Sequence, residues 1–220
     1  CNNVEHMAFT LGLIVKVVSV DRNLGYSGIN NVASEYASGK FLLFLNSDCF
    51  VTSSDPIERA LRWLNSTENA GAAGFRLLYA DNSIQHNGMS LQSWRGKEHL
   101  YINEHPGKGS ELKEAGMEGG ACLLTAACLI VSKSLFFDVN GFDQSYFRGD
   151  FEDSDLCIKI LRMKKKLGIV ASGDIFHLER QTIPCGSAIT QSITLVNSFI
   201  FTSKWTGQID RALPPLELIQ

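Results

Sequence analysis

Three groups of side chains in the 220-residue chain have types and spacing suited to chemistry. The first is Asn46-Ser47-Asp48, which follows the apolar run Phe41-Leu42-Leu43-Phe44-Leu45. A carboxylate at the end of such a strand can hold a divalent cation that keeps part of its water and bridges phosphate oxygens. The same residues also suit a turn that ends the strand. The second group is Asp150-Phe151-Glu152-Asp153-Ser154-Asp155. One of its carboxylates can serve as a general base, since a helix N-terminus favours the ionised form. The stretch equally suits a capped helix start, with Lys164-Lys165-Lys166 at the other end complementing the macrodipole. The third is His177, in Asp174-Ile175-Phe176-His177-Leu178-Glu179. Imidazole suits Mn-like ions beside a carboxylate, and a hydrogen-bonded, half-buried histidine fits the same pattern. His86, in Ile84-Gln85-His86-Asn87-Gly88, reads as a turn residue.

The elements that must position these groups follow from periodicity. Residues 14–20 (Ile-Val-Lys-Val-Val-Ser-Val) are β-branched and short, as a buried strand should be. A turn-rich loop, Asn23 to Gly28, leads into an amphipathic helix carrying Ile29, Val32, Ala33, Tyr36 and Ala37, stopped by Gly39. Phe41–Leu45 then reads as a central strand, which completes a βαβ unit. Helices are expected over Pro56–Leu64 and Asp155–Lys166, the second closed by Gly168, with strands over Ala72–Tyr79, Ala121–Val131 and Ile169–Ala171. Gln92 to Gly116 is polar and carries Gly96, Pro106, Gly107 and Gly109, which marks a functional or mobile loop. A helical tail follows from Gln191. The pattern is an open α/β fold in one domain, and in such sheets ligands bind beyond the carboxyl ends of the strands.

Composition narrows the partners. Twenty basic against 23 acidic residues leave a net charge of −3, too weak a field for nucleic acid as the main partner. No window reaches the about 18 apolar residues of a membrane-spanning helix. The opening Cys1-Asn2-Asn3 follows no initiator Met and has no signal-peptide pattern, so the chain reads as a piece of something longer. The six cysteines (Cys1, Cys49, Cys122, Cys128, Cys157 and Cys185) form no CxxC pair, and are expected to be reduced thiols in a cytosolic compartment. Asn23 to Gly28 lacks both GxGxxG and GK[ST], and is no phosphate cradle of those types.

Taken in order, these segments resemble the family 2 glycosyltransferases, in particular their rhamnosyltransferase-like branch. The likeness rests on Asn23-Leu24-Gly25-Tyr26-Ser27-Gly28-Ile29-Asn30-Asn31, Gly39 to Asp48, Asn82 to Gly88, Gly141-Phe142-Asp143 through Cys157, His177, and Asn197 to Trp205. It implies a GT-A (Rossmann-like) fold, an open mixed sheet with helices on both faces. It also implies inverting transfer of a sugar from a nucleotide-diphosphate sugar to a glycan or lipid-linked acceptor, assisted by Mn²⁺ or Mg²⁺. The resemblance makes Asp48 the last Asp of a metal-binding DxD motif, with Asn46 in place of the first, and His177 a further metal ligand. Asp153 is the implied base with Glu152 beside it, and Asn23, Gly25, Asn31 and Asn46 are implied on the donor side. It implies work in surface polysaccharide assembly, in the cytoplasm, with peripheral contact at the inner face of the membrane.

The family pattern places a strand–turn–helix unit before the matched region. Asp21 is the only Asp ahead of Asp48, so that unit is expected to be absent from this chain and a sheet edge to be uncovered. Two other readings compete: a catalytically silent GT-A-like domain that binds glycan or a partner protein, and a nucleotidyltransferase. The second lacks the expected basic, Gly-rich phosphate loop.

Overall fold

The computed structural model describes residues 14–93, 100–111, 121–179, 188–209 and 213–220, together with His6 and residues 9–12. Its first half runs α1 (Gly25–Tyr36), β1 (Phe41–Leu45), β2 (Cys49–Val51), α2 (Asp55–Ser66), β3 (Ala70–Phe75), β4 (Leu77–Leu78), β5 (Ile84–His86), β6 (Ser90–Ser93) and β7 (Tyr101–Glu104). There follow β8 (Cys128–Ser132), α3 (Lys133–Asp138), α4 (Glu152–Arg162), β9 (Lys166–Val170), β10 (Ile175–His177), α5 (Ala188–Trp205) and β11 (Glu217–Ile219).

Alternation along the central strands builds the layers. Ala72, Leu129, Val131, Leu167 and Ile169 point into one apolar cluster, while Ala73, Phe75, Cys128, Ile130 and Val170 point into another. Both faces therefore need cover. The second receives Ile57, Ala60, Leu61 and Trp63 of α2. The first receives Leu135 and Phe136 of α3, Leu156 and Ile160 of α4, and Phe201 and Trp205 of α5. The main sheet has the order β1-β8-β3-β9-β11, antiparallel through β1, β8 and β3 and parallel through β3, β9 and β11. A second sheet, β2-β10-β4-β5, and the hairpin β6-β7 stand beside it. The mixed sheet with helices on both faces is the expected architecture.

Several elements differ from the sequence reading, each for a tertiary reason. Residues 14–20 form no strand and are mostly exposed, because no ladder partner faces them among the described residues. Ala72–Tyr79 divides between two sheets at Arg76. The apolar run from Ala121 becomes a strand only at Cys128, where β1 and β3 can pair with it. The long loop from Gln92 contains β7, which pairs with β6 from Ser90↔Glu104 to Ser93↔Tyr101. Gly168 closes no helix. It lies inside β9, where an added Cβ would meet Ile219 at 2.9 Å and Trp63 at 3.0 Å, and the helix instead ends at Arg162. The tail is helical to Trp205 and then adds β11 to the main sheet.

Candidate active site

β1 and β8 pair in register from Phe41↔Ser132 to Leu45↔Cys128, and Asn46 N–H continues the ladder by donating to Ala127 O at 2.9 Å. The chain then turns, with Cys49 N–H donating to Asn46 O at 3.0 Å, and enters β2. β2 pairs with β10 so that Cys49 lies opposite His177. This register brings Asp48 Oδ1 within 3.4 Å of His177 Nε2.

Burial lowers the His177 pKa more than Asp48 and Glu179 raise it, so the imidazole is neutral at neutral pH. Its Nδ1 lies 3.1 Å from Gln85 Oε1, an oxygen that only accepts. Nδ1 therefore carries the proton, and the bare Nε2 lone pair faces a carboxylate oxygen. Two acceptors meeting in this way are satisfied by a cation, and this donor set of imidazole and carboxylate fits a divalent ion. Cys49 completes a group whose ligand atoms all lie within 4.8 Å of one another. Its thiol, pushed up to about 12 by burial and the Asp48 charge, instead donates to Ala127 O at 3.3 Å.

The acidic stretch divides into three roles. Asp155 is wholly buried and structural: it accepts from Trp205 Nε1 at 2.9 Å, Lys204 Nζ at 2.6 Å and Tyr146 OH at 3.2 Å, with Lys159 Nζ at 3.1 Å. Asp153 is half-buried and accepts from Ser154 N–H at 2.8 Å and Ala126 N–H at 3.3 Å. Glu152 is buried, and its Oε2 has no hydrogen-bond partner. Burial raises both acids of the Glu152–Asp153 pair. For Asp153 the hydrogen bonds from Ser154, Ala126 and Thr125 oppose the rise; for Glu152 the backbone N–H groups of Glu152 and Asp150 oppose it while the Asp153 and Asp150 charges add to it, and its rise is the larger. Glu152 is therefore the member favoured to hold a proton shared by the pair.

The backbone leading into α4 is strained: Arg148, Gly149, Asp150 and Phe151 all have positive φ. Asn197 of α5 holds it in place. Its Oδ1 accepts from Phe147 N–H at 2.9 Å, and its Nδ2 donates to the carbonyls of Phe147, Gly149 and Asp150 at 3.1–3.2 Å. A strained run kept by a buried clamp just before two acidic residues is the kind of local cost found at functional sites.

Asn46, Glu152, Asp153 and His177 line one cavity of about 440 Å³, together with Tyr26, Gln85, His105, Lys108, Arg148 and Glu179. Asp48 joins this set through His177. Of the donor-side residues expected from sequence, only Asn46 lines the cavity. Asn23 Oδ1 accepts from Gly25 N–H at 2.8 Å to open α1, and Gly25 supplies a φ of +69° there. The Asn31 amide is engaged by the Phe142 peptide, with bonds of 2.8 and 2.9 Å. These three shape the element beside the cavity. The expected turn residue His86 is instead buried at the end of β5, with its Nδ1 3.3 Å from that of His105.

Sequence reasoning missed Gln85, Lys108 and Glu179, although Gln85 stood inside a segment already picked out. Glu179 closes the segment quoted for His177 and Lys108 lies in the long loop, but their pairing left no signal, since only folding brings them to 2.8 Å.

Solved structures share this architecture. A crystal structure of GalNAc-T7 with UDP, GalNAc and Mn²⁺ superposes with a TM-score of 0.64 at 16% identity, over 94% of this chain and 40% of its own. The mannosyltransferase PcManGT of Pyrobaculum calidifontis, in complex with GDP-Man and Mn²⁺, gives 0.61 at 14% identity, over 97% and 53%. The fold is therefore of the GT-A glycosyltransferase class. The sequence pattern of glycosyl transferase family 2 matches residues 3–124. The chain belongs to that family, as a glycosyltransferase domain. Among curated relatives, the uncharacterized protein y4gI of Sinorhizobium fredii (strain NBRC 101917 / NGR234) is 32% identical over 149 residues, 66% of this chain and 16% of that protein. The O-antigen biosynthesis protein RfbC of Myxococcus xanthus is 28% identical over 128 residues, 57% and 10%. The chain thus spans a small part of the length of either relative.

Proposed function

We propose that this domain transfers a sugar, with inversion, from a nucleotide-diphosphate donor to an acceptor hydroxyl during assembly of a surface glycan. The observation that carries the reading is that His177, which pairs with Asp48, lines one cavity with Glu152 and Asp153. Asp48 and His177 are the residues that would hold a divalent cation. Such an ion, when bound, stabilises the charge that develops on a leaving diphosphate. Arg148 adds positive charge to the same lining, while the charge of Lys108 is matched there by Glu179.

Asp153 takes the proton of the acceptor hydroxyl, held in position by three hydrogen bonds, while protonated Glu152 stays a neutral neighbour. One such carboxylate, on the face opposite the leaving group, is sufficient for inversion. A placed general base contributes roughly 10²–10⁴ in rate. The relative named for O-antigen biosynthesis supports glycan assembly as the setting. No helix among the described residues is long and apolar enough to cross a membrane.

Calorimetric titration of UDP, GDP and dTDP, with Mn²⁺ and then with EDTA, tests the reading. One nucleotide should bind only with the metal, and Asp48→Ala should lose that dependence. Asp153→Asn should bind donor as the wild type does and lose transfer by about 10²–10⁴-fold. Binding indifferent to Mn²⁺, or undiminished turnover in Asp153→Asn, rejects the assignment.

A further inference from the structure

The segment Ile84-Gln85-His86 has a structural peculiarity at the metal side of the cavity. On β5, Ile84 pairs with Leu78 and His86 with Leu77, so Gln85 is the extra residue of a β-bulge. Bulges re-aim side chains and recur beside active sites. Here the bulge turns a wholly polar, 5% exposed amide toward two groups at once. Gln85 Oε1 meets His177 Nδ1 at 3.1 Å, and the Gln85 side chain also bonds the Glu179 carboxylate.

We propose that Glu179 and Gln85 are positioning residues that fix the tautomer of His177 and so make its Nε2 a metal ligand. This rests on the reading of Asp48 and His177 as the cation site. The argument is a chain of forced hydrogen-bond directions. Lys108 Nζ donates to both Glu179 oxygens, at 2.8 and 2.9 Å, and Tyr79 OH donates to Oε2 at 2.6 Å. Glu179 is thereby held as a carboxylate, which can only accept. Gln85 must present its NH₂ to Glu179, which leaves its Oε1 for His177. That oxygen accepts only, so the His177 proton is drawn to Nδ1 and Nε2 is left bare toward Asp48 Oδ1. Without Gln85 the proton is free to move to Nε2, where Asp48 at 3.4 Å would accept it and close the site to a cation. Outer-shell partners of this kind typically contribute 10–100-fold in metal affinity.

The test uses histidine-labelled protein and two readouts. In a long-range ¹H–¹⁵N spectrum without metal, wild-type His177 should show a protonated Nδ1 and a bare Nε2. In Gln85→Leu the proton should shift to Nε2, and electron paramagnetic resonance titration should show Mn²⁺ binding weakened about 10–100-fold. The exchange Gln85→Glu/Glu179→Gln keeps an acceptor facing His177 and a donor facing that acceptor. It should restore both the tautomer and the affinity, which a loss of packing would not allow. A wild-type His177 protonated on Nε2 overturns the proposal, as does a Gln85→Leu variant with unchanged tautomer and Mn²⁺ affinity. A wild type that shows the Nδ1 tautomer, shifted in Gln85→Leu, but takes up no Mn²⁺ overturns the cation site and upholds the tautomer control.

Discussion

Glu152 and Asp153 are adjacent in sequence yet differ in state because of what surrounds each carboxyl. Asp153 receives donors from Ser154, Ala126 and Thr125, while Glu152 Oε2 is buried without one. Ala126 links the site's parts, since its N–H donates to Asp153 and its carbonyl accepts from Tyr26 OH at 2.7 Å. Glu152→Gln should retain turnover, because an amide resembles the protonated acid. The acid it replaces is already neutral, so the acid limb of the kcat/KM profile should stay in place. Turnover lost by about 10²–10⁴-fold, or an acid limb that moves, would assign the ionised role to Glu152.

At the scale of elements, α5 holds the entry to α4 through two separate devices. Asn197 clamps the strained loop with four hydrogen bonds, and Asn197→Ala would remove all four from a partly buried stretch of backbone. The expected loss is about 3 kcal/mol in denaturant unfolding, with a fall in transfer as Asp153 loses its position. Lys204 reaches Asp143 and Asp155, each at 2.6 Å. Burial favours the neutral form of Asp143, but the bonds from Lys204 and Ser145 outweigh it and hold the pKa at about 2. An Asp whose pKa is depressed on folding stabilises the fold above its unfolded value of about 4, and that contribution is lost as pH falls through the folded value. The Tm of wild type should therefore drop between pH 4 and 2 more steeply than that of Asp143→Asn. Parallel curves would show that the pair contributes nothing.

Across the whole molecule, several large apolar side chains are exposed. Among the described residues β1 stands at the edge of the main sheet, and its Leu43 and Leu45 are 40% and 44% exposed. Ile14, Val15, Val17, Val20 and Tyr36 are exposed as well, and Lys16 Nζ lies 4.5 Å from the Tyr36 ring centre. Edge strands with apolar faces promote association unless charged or covered. Leu43→Lys should reduce concentration-dependent scattering of this chain with a stability change within about 0.5 kcal/mol. Scattering that does not change would place any association elsewhere. Four of the six cysteines, Cys49, Cys122, Cys128 and Cys157, are buried and unpaired by disulfides, as their spacing suggested. Cys1 and Cys185 lie outside the described residues.

The sequence by itself determined the class of fold and its strongest elements, because local periodicity and end signals carry that information. α2, with Pro56 in its first turn and acids at Asp55 and Glu58, is an example, and so is the apolar run of β1. Asp48, Asp153 and His177 were legible as candidates because each ends or begins such an element. Local signals fail where a partner distant in sequence decides. The β-branched residues 14–20 have strand character but no ladder. α1 forms, yet it buries Ser27, Gly28 and Ser34 rather than its apolar face, because Tyr26 and Asn31 are tied to Ala126 and Phe142, about a hundred residues away. Tertiary structure alone divided the acidic stretch into a structural Asp155, a buried Glu152 whose Oε2 has no hydrogen-bond partner, and an Asp153 held by several donors. It alone joined Lys108, Glu179, Gln85 and His177, since hydrogen-bond direction and burial exist only once the strands have paired.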